Sequence, residues 1–173
     1  VSPRTFFLGA LLLVATGCTG RQAAYRVVHS PQPEPVRAVS EPTVLEVETP
    51  KGPRRFTMRQ LEALRAVEYR TVHAQLKQAY TYEGVLLSDL ARATGIANRD
   101  LRFTALNKYS SVINADDYMK YPILLAYRAD GKPIRPAQKG PLTVVLPTHA
   151  YPRFTKPSYG RAWVWYVARI EPQ

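Results

Sequence analysis

A chain whose only thiol stands at residue 18 must build its folded part without disulfides or thiolate-bound metal. Cys18 is the single cysteine among 173 residues. Everything that follows it therefore lacks a covalent cross-link, a sulfur nucleophile and a soft, charged metal ligand. Stability has to come from burial of apolar surface and from satisfied hydrogen bonds. Residues 18–173 are enough for one domain with a sizeable core.

The surroundings of Cys18 explain why a lone thiol stands there. Arg4 precedes the apolar run Phe6 to Val14, and small residues Ala15, Thr16 and Gly17 lead into the cysteine. A positive start, a short apolar stretch and small residues before a cut point read as a secretory signal peptide over residues 1–17. The run is too short to cross a bilayer as a helix. Gly17-Cys18 resembles the lipobox of bacterial lipoproteins, although Ala15 stands where that motif usually has leucine. On this reading Cys18 is the lipidation site and the new N-terminus. The alternative is an ordinary signal peptide cut nearby, with Cys18 removed or left as a spare thiol. The expected location is the periplasm, with the protein held at a membrane through a lipid anchor.

Charge narrows the partners. Lys and Arg number 24 against 13 Asp and Glu, a formal net charge of +11. Such a balance favours anionic partners. For an exported chain these are an anionic small molecule, lipid head groups, cell-wall polymers or an envelope protein. The cations are scattered and form no basic arm, and nucleic acid is not expected. Most of them are read as a solvated surface.

Residues 18–42 read as a proline-rich tether, because Pro31, Pro33, Pro35 and Pro42 block helix and remove ladder donors. The domain is placed at 43–173. Val44 to Thr49 is a short strand ended by Pro50 and Gly52-Pro53. Thr57 and Gln60 form a capping box that opens a helix reaching Ala66. Val67 to Ala74 alternates, with Val67, Tyr69, Thr71 and His73 on one side, and reads as a strand. Leu86 to Thr94 carries an apolar stripe, with Gly95 as its C-terminal stop. Strands follow at 101–107, 111–113 and 123–127. Asp116-Asp117 opens a helical turn, and Asp130-Gly131 marks a hairpin. The last strands are placed at 142–146 and 163–170. The fold class is α+β, with mixed, mostly antiparallel sheets and a few short helices.

From Tyr82 onward, one succession of motifs stands out. It runs Gly84-Val85-Leu86-Leu87-Ser88-Asp89-Leu90 with Gly95-Ile96, then Leu106-Asn107-Lys108-Tyr109-Ser110, then Tyr121-Pro122-Ile123-Leu124-Leu125-Ala126-Tyr127 with Asp130-Gly131-Lys132-Pro133-Ile134. Gly140 to Pro147 and Trp163 to Glu171 complete it. In order and spacing this resembles the oxidoreductase molybdopterin-binding domain of the sulfite-oxidase type, over roughly residues 43 to 172. The resemblance implies that fold, and a cofactor whose molybdenum is held by one cysteine near the start of the domain. Here the corresponding stretch, Tyr69 to Lys77, has no cysteine. A thiolate tunes the metal in a way no other side chain copies. The resemblance thus implies the scaffold and argues against the catalysis. No cofactor is expected, and a bound molybdopterin is the one the family leaves open.

Six residues are candidates for ligand contact, and none for catalysis or metal binding. His73 lies near the position of the missing cysteine. No second histidine, cysteine or carboxylate stands at metal-ligand spacing from it, and its plainer reading is a strand histidine with satisfied hydrogen bonds. His149 lies in a loop after a strand end, where sites are often built. Tyr109, Arg128, Arg153 and Arg161 belong to a basic and aromatic set suited to an anion or a planar ring. Trp163, Trp165 and Tyr166 are read as strand residues of a sheet core. His29 is placed in the tether and read as inert. Asp116 and Asp117 do not face each other and are read as helix-terminal acids.

Together these features point to an exported, lipid-anchored binding or accessory module on an oxidoreductase-like scaffold. Two readings compete with it. One is a periplasmic oxidoreductase that binds a molybdopterin cofactor without thiolate ligation. The other is a structural envelope lipoprotein that acts through its charge.

Overall fold

A computed structural model describes residues 24–173. The proposed signal peptide and Cys18 lie outside the described residues. The elements run β1 (Arg26–His29), β2 (Leu45–Thr49), β3 (Gly52–Phe56), α1 (Met58–Glu62), β4 (Ala66–Val72), β5 (Ala79–Leu86) and α2 (Leu87–Thr94). They continue with β6 (Leu101–Ala105), β7 (Ser110–Ile113), α3 (Ala115–Lys120), β8 (Leu124–Ala129), β9 (Lys132–Pro133), β10 (Thr143–Val145) and β11 (Val167–Pro172). Short 3-10 turns fill Pro136–Gln138, Pro152–Thr155 and Pro157–Ala162.

Two sheets result. One has the order β1-β4-β5-β8-β10, with β9 paired to β8, and the other β3-β2-β11-β6-β7. Every pairing is antiparallel except that of β11 with β2. The α+β class expected from the sequence is the class observed. Alternation is visible in β4, where Tyr69 and Thr71 are buried and Arg70 and Val72 exposed. A single apolar cluster takes side chains from both sheets, among them Tyr69, Tyr82, Leu125 and Val145 from the first and Leu45, Phe103 and Ile170 from the second.

The helices sit where their caps dictate. Thr57 Oγ1 accepts from the Gln60 amide at 3.3 Å, and the Gln60 side chain accepts from the Thr57 amide at 3.0 Å. That box starts α1. It ends at Glu62, short of Ala66, because Ala66 is already paired with Val85 in the sheet. On α2 the residues Leu87, Leu90, Ala91 and Thr94 are buried, and Gly95 ends the helix at φ 72°. At the hairpin, Asp130 and Gly131 have φ of 49° and 74°, the signs a tight two-residue turn needs.

Two expectations are corrected. Residues 24–35 run against the domain and do not stand clear as a spacer, while residues 36–40 are exposed. Arg26–His29 is a strand on β4, with Arg26 ion-paired to Glu68 at 2.7 Å. Further along, Gln32 donates its amide to the Ala63 carbonyl, and Glu34 pairs with Arg54 at 2.8 Å. His29 accordingly belongs to a strand. The last strand begins at Val167 and not at Trp163. Tyr166 takes φ of 53°, which breaks the extended backbone and turns the two tryptophans out of the ladder.

Candidate ligand site

β4 aims a row of side chains inward, and the row does not stop at the strand end. Tyr69 donates its hydroxyl to the Val145 carbonyl at 2.8 Å. Thr71 Oγ1 lies 2.7 Å from Thr148 Oγ1. His73, the next residue in step, is fully buried just past the strand. A tight turn follows, with the His73 amide donating to Gln78 and the Lys77 amide donating to His73.

That turn decides the state of the imidazole. Nδ1 of His73 accepts from the backbone amides of Gln75 and Leu76, both at 3.3 Å. An atom that accepts cannot carry the proton, so in the neutral ring the proton belongs on Nε2. Nε2 has no hydrogen-bond partner. The ring is neutral near pH 7: burial first, and the Lys139 cation second, lower its pKa from 6.5 to about 4. The satisfied strand histidine expected from the sequence is therefore satisfied on one nitrogen only.

Aromatic rings enclose it. The Trp163 ring lies 4.7 Å away by centroid, Trp165 6.1 Å and Tyr82 6.3 Å. Trp165 Nε1 is also buried without a partner. The Lys139 ammonium stands 4.2 Å above the Trp165 ring. It is held there because the Tyr166 amide donates to the Lys139 carbonyl and the Tyr166 hydroxyl to Pro136. Beside this group opens a hollow of about 260 Å³, walled by Trp163, Trp165 and Tyr109 and edged by Gln75, Asn107 and Gly160. Gln75 Nε2 donates to the Gly160 carbonyl at 3.1 Å, and the Tyr109 hydroxyl to the Arg161 carbonyl at 3.0 Å. These two bonds pin the Pro157–Ala162 turn across the hollow.

The six sequence candidates do not converge. Tyr109 lines this hollow, and His73 backs it. Arg161 faces a different cavity. Arg128 is ion-paired to Glu62 and lies 3.6 Å from Glu83. Arg153 reaches Asp117 at 3.0 Å and the hydroxyls of Tyr121 and Tyr159 at 2.9 and 2.7 Å. Both arginines brace the fold. His149 is exposed, stacks on Tyr69 at 4.9 Å and donates Nε2 to the Ala24 carbonyl. It lines a broad depression together with Tyr25 and Arg70. Lys139 belongs to the basic and aromatic set that the sequence presents, whereas Trp165, Gln75 and Asn107 are not candidates there. They are far apart along the chain and share no motif, and only the tertiary fold gathers them. Trp163 belongs to the same set, and in place of the sheet-core role expected of it the fold makes it a wall of the hollow.

Residues 37–171 match the family model described as the oxidoreductase molybdopterin binding domain. The chain belongs to that family. A solved structure of like fold is the sulfane dehydrogenase SoxCD from Paracoccus pantotrophus, with a TM-score of 0.56 and 18% identity. The alignment covers 79% of this chain and 39% of that one, so this chain spans well under half its length. At that identity the likeness establishes the fold alone. No curated protein sequence matches.

The family binds molybdopterin, and the residues present can be tested against that group. They do not fit its metal. The domain holds no thiolate, and among the described residues no three His, Cys, Asp or Glu cluster as metal ligands. His73 is sealed behind Trp163 and carries its proton on the nitrogen left free. The hollow is walled by the indoles of Trp163 and Trp165 and the phenol of Tyr109, groups that suit a flat ring.

Proposed function

We propose that this protein is an exported, lipid-anchored binding or accessory module that uses the family scaffold without the family's metal chemistry. Its ligand seat is the hollow of Tyr109, Trp163 and Trp165. One observation carries this reading: Trp165 Nε1, buried in a residue that walls the hollow, lacks an acceptor among the described residues, and the Lys139 ammonium stands over the same ring. Buried donors are costly when unpaired, by about 1–3 kcal/mol each. A ligand with an acceptor atom on a planar ring can pair with Trp165 Nε1, and the Lys139 ammonium over the same indole favours a negative charge on it. A pterin-type heterocycle bearing a carboxylate or phosphate has that chemistry. No proton acceptor or nucleophile stands free in the hollow, which supports binding over turnover.

The test is analysis of the whole chain purified from producing cells. Molybdenum should be well below stoichiometric. Pterin-6-carboxylate should bind and change tryptophan fluorescence, a clean signal because both tryptophans of the chain line this hollow. Stoichiometric molybdenum with a released pterin would overturn the reading in favour of an oxidoreductase that dispenses with thiolate ligation. A silent titration would remove the assigned seat.

A further inference from the structure

We propose that a second binding site lies between the free edge of β7 and the Pro157–Ala162 turn, and that it takes a small amphiphile with an oxyanion head. It is separate from the tryptophan hollow and does not rest on that reading.

Among the described residues β7 closes its sheet and pairs only with β6. Residues 110–114 line a cavity of about 540 Å³ along the open side, and the Pro157–Ala162 turn forms the opposite wall. The floor is apolar and buried, made by Ile113, Ile123 and Leu146. The rim is exposed and polar, with Arg102, Arg161, Ser110, Asn114 and Ser158.

Three observations point to an anion-bearing ligand. First, Ser111 is 7% exposed and its Oγ has no hydrogen-bond partner among the described residues, although it lines the cavity. A buried hydroxyl left unpaired marks a place where something else completes it. Second, two guanidiniums on the rim lack a carboxylate partner among the described residues. Arg161 engages only through its backbone carbonyl. Arg102 donates to the neutral amide oxygen of Gln173 at 2.7 and 3.2 Å. An oxyanion competes well for such a fork, because it brings a full negative charge and can accept from the guanidinium in bidentate fashion, where the amide oxygen is neutral. Third, the one carboxylate in the lining, Asp117, is already neutralised by Arg153 at 3.0 Å and accepts from the Tyr159 hydroxyl at 3.3 Å. The unbalanced charge around the cavity is positive. An apolar floor under a cationic rim suits a short apolar body below one carboxylate or phosphate-like head.

The whole chain is titrated by calorimetry with octanoate, phenylphosphonate and inorganic phosphate, while the Ile113 and Ile123 methyl signals are followed. Octanoate or phenylphosphonate should saturate one site and shift those methyls without changing tryptophan fluorescence. The stronger of the two names the head group, and inorganic phosphate should be weaker than phenylphosphonate because it leaves the floor empty. Arg102→Gln and Arg161→Gln should each weaken binding about tenfold. Ser111→Ala, nearly isosteric and safe for folding, should weaken it by about threefold. Arg55→Gln, on the far strand β3, should leave it unchanged. The proposal is overturned if no probe saturates below roughly 10 mM, or if Arg161→Gln and Ser111→Ala bind like the parent.

Discussion

The His73 imidazole and the Trp163 indole sit with ring centroids 4.7 Å apart and planes inclined at 50°. This contact seals the nitrogen that the turn at Gln75 and Leu76 leaves without a partner. It has a consequence for stability. In the folded chain His73 protonates only near pH 4, whereas in the unfolded chain it does so near 6.5. Between those values the unfolded state binds more protons, so stability falls as pH falls through that window and is complete above it. The loss reaches about 3 kcal/mol at most. Urea unfolding at pH 7 and pH 4.5 measures it. A His73→Gln variant with the same pH slope as the parent would contradict the assignment.

Gly84 marks the tightest approach in the first sheet. A Cβ there would fall 2.2 Å from the Leu125 carbonyl oxygen and 2.6 Å from the Ala126 Cα. Both are backbone atoms, and the register between β5 and β8 shifts at this point. Gly84→Ala should cost about 3 kcal/mol or more. Gly160→Ala, with nothing within 4 Å of its Cβ, should cost under about 0.5 kcal/mol. Equal denaturation midpoints for the two variants would refute this reading.

Arg153 is a brace, not a free cation. Its removal in Arg153→Met leaves Asp117, only 6% exposed, without its countercharge. The expected loss is about 1–3 kcal/mol. Adding Asp117→Asn should recover part of it, since the pair is coupled. Strict additivity in that double-mutant cycle is the outcome that rejects the brace.

The Lys139 ammonium lies 4.2 Å over the Trp165 ring that walls the hollow. Lys139→Met should weaken pterin-6-carboxylate about tenfold and flatten the salt dependence of binding. Neutral pterin should lose far less. An identical loss for both ligands would mean that Lys139 acts by packing on Trp165 alone.

Anchoring is tested through Cys18. The Cys18→Ser chain should leave the membrane fraction for the soluble one, because one or more acyl chains supply the attachment. Among the described residues no helix is long and apolar enough to cross a membrane. Retention of the serine variant in washed membranes would disprove lipidation.

Much of the architecture is legible in the residues. The row Tyr69, Thr71 and His73 follows from period-2 alternation, and the capping box of α1 from Thr57 and Gln60. The Asp130-Gly131 turn follows from backbone preference. Each of these rests on neighbours in the chain. The strand Arg26–His29 was hidden, because four residues beside a proline-rich stretch become a strand only when β4 offers a ladder and Glu68 offers a partner for Arg26. The arginines were countable but not assignable. Arg128 and Arg153 find carboxylates on α1 and α3, while Arg161 finds none among the described residues.

By itself the sequence determined the local geometry of most strands and helices, and that no thiol follows residue 18. Backbone preference and side-chain period act over a few residues, and composition is a matter of counting. Only the tertiary structure decided which cations stay uncompensated and which donors are walled in without a partner. Charge pairing and burial depend on groups that meet across the two sheets, and their distances are set by packing and not by order along the chain.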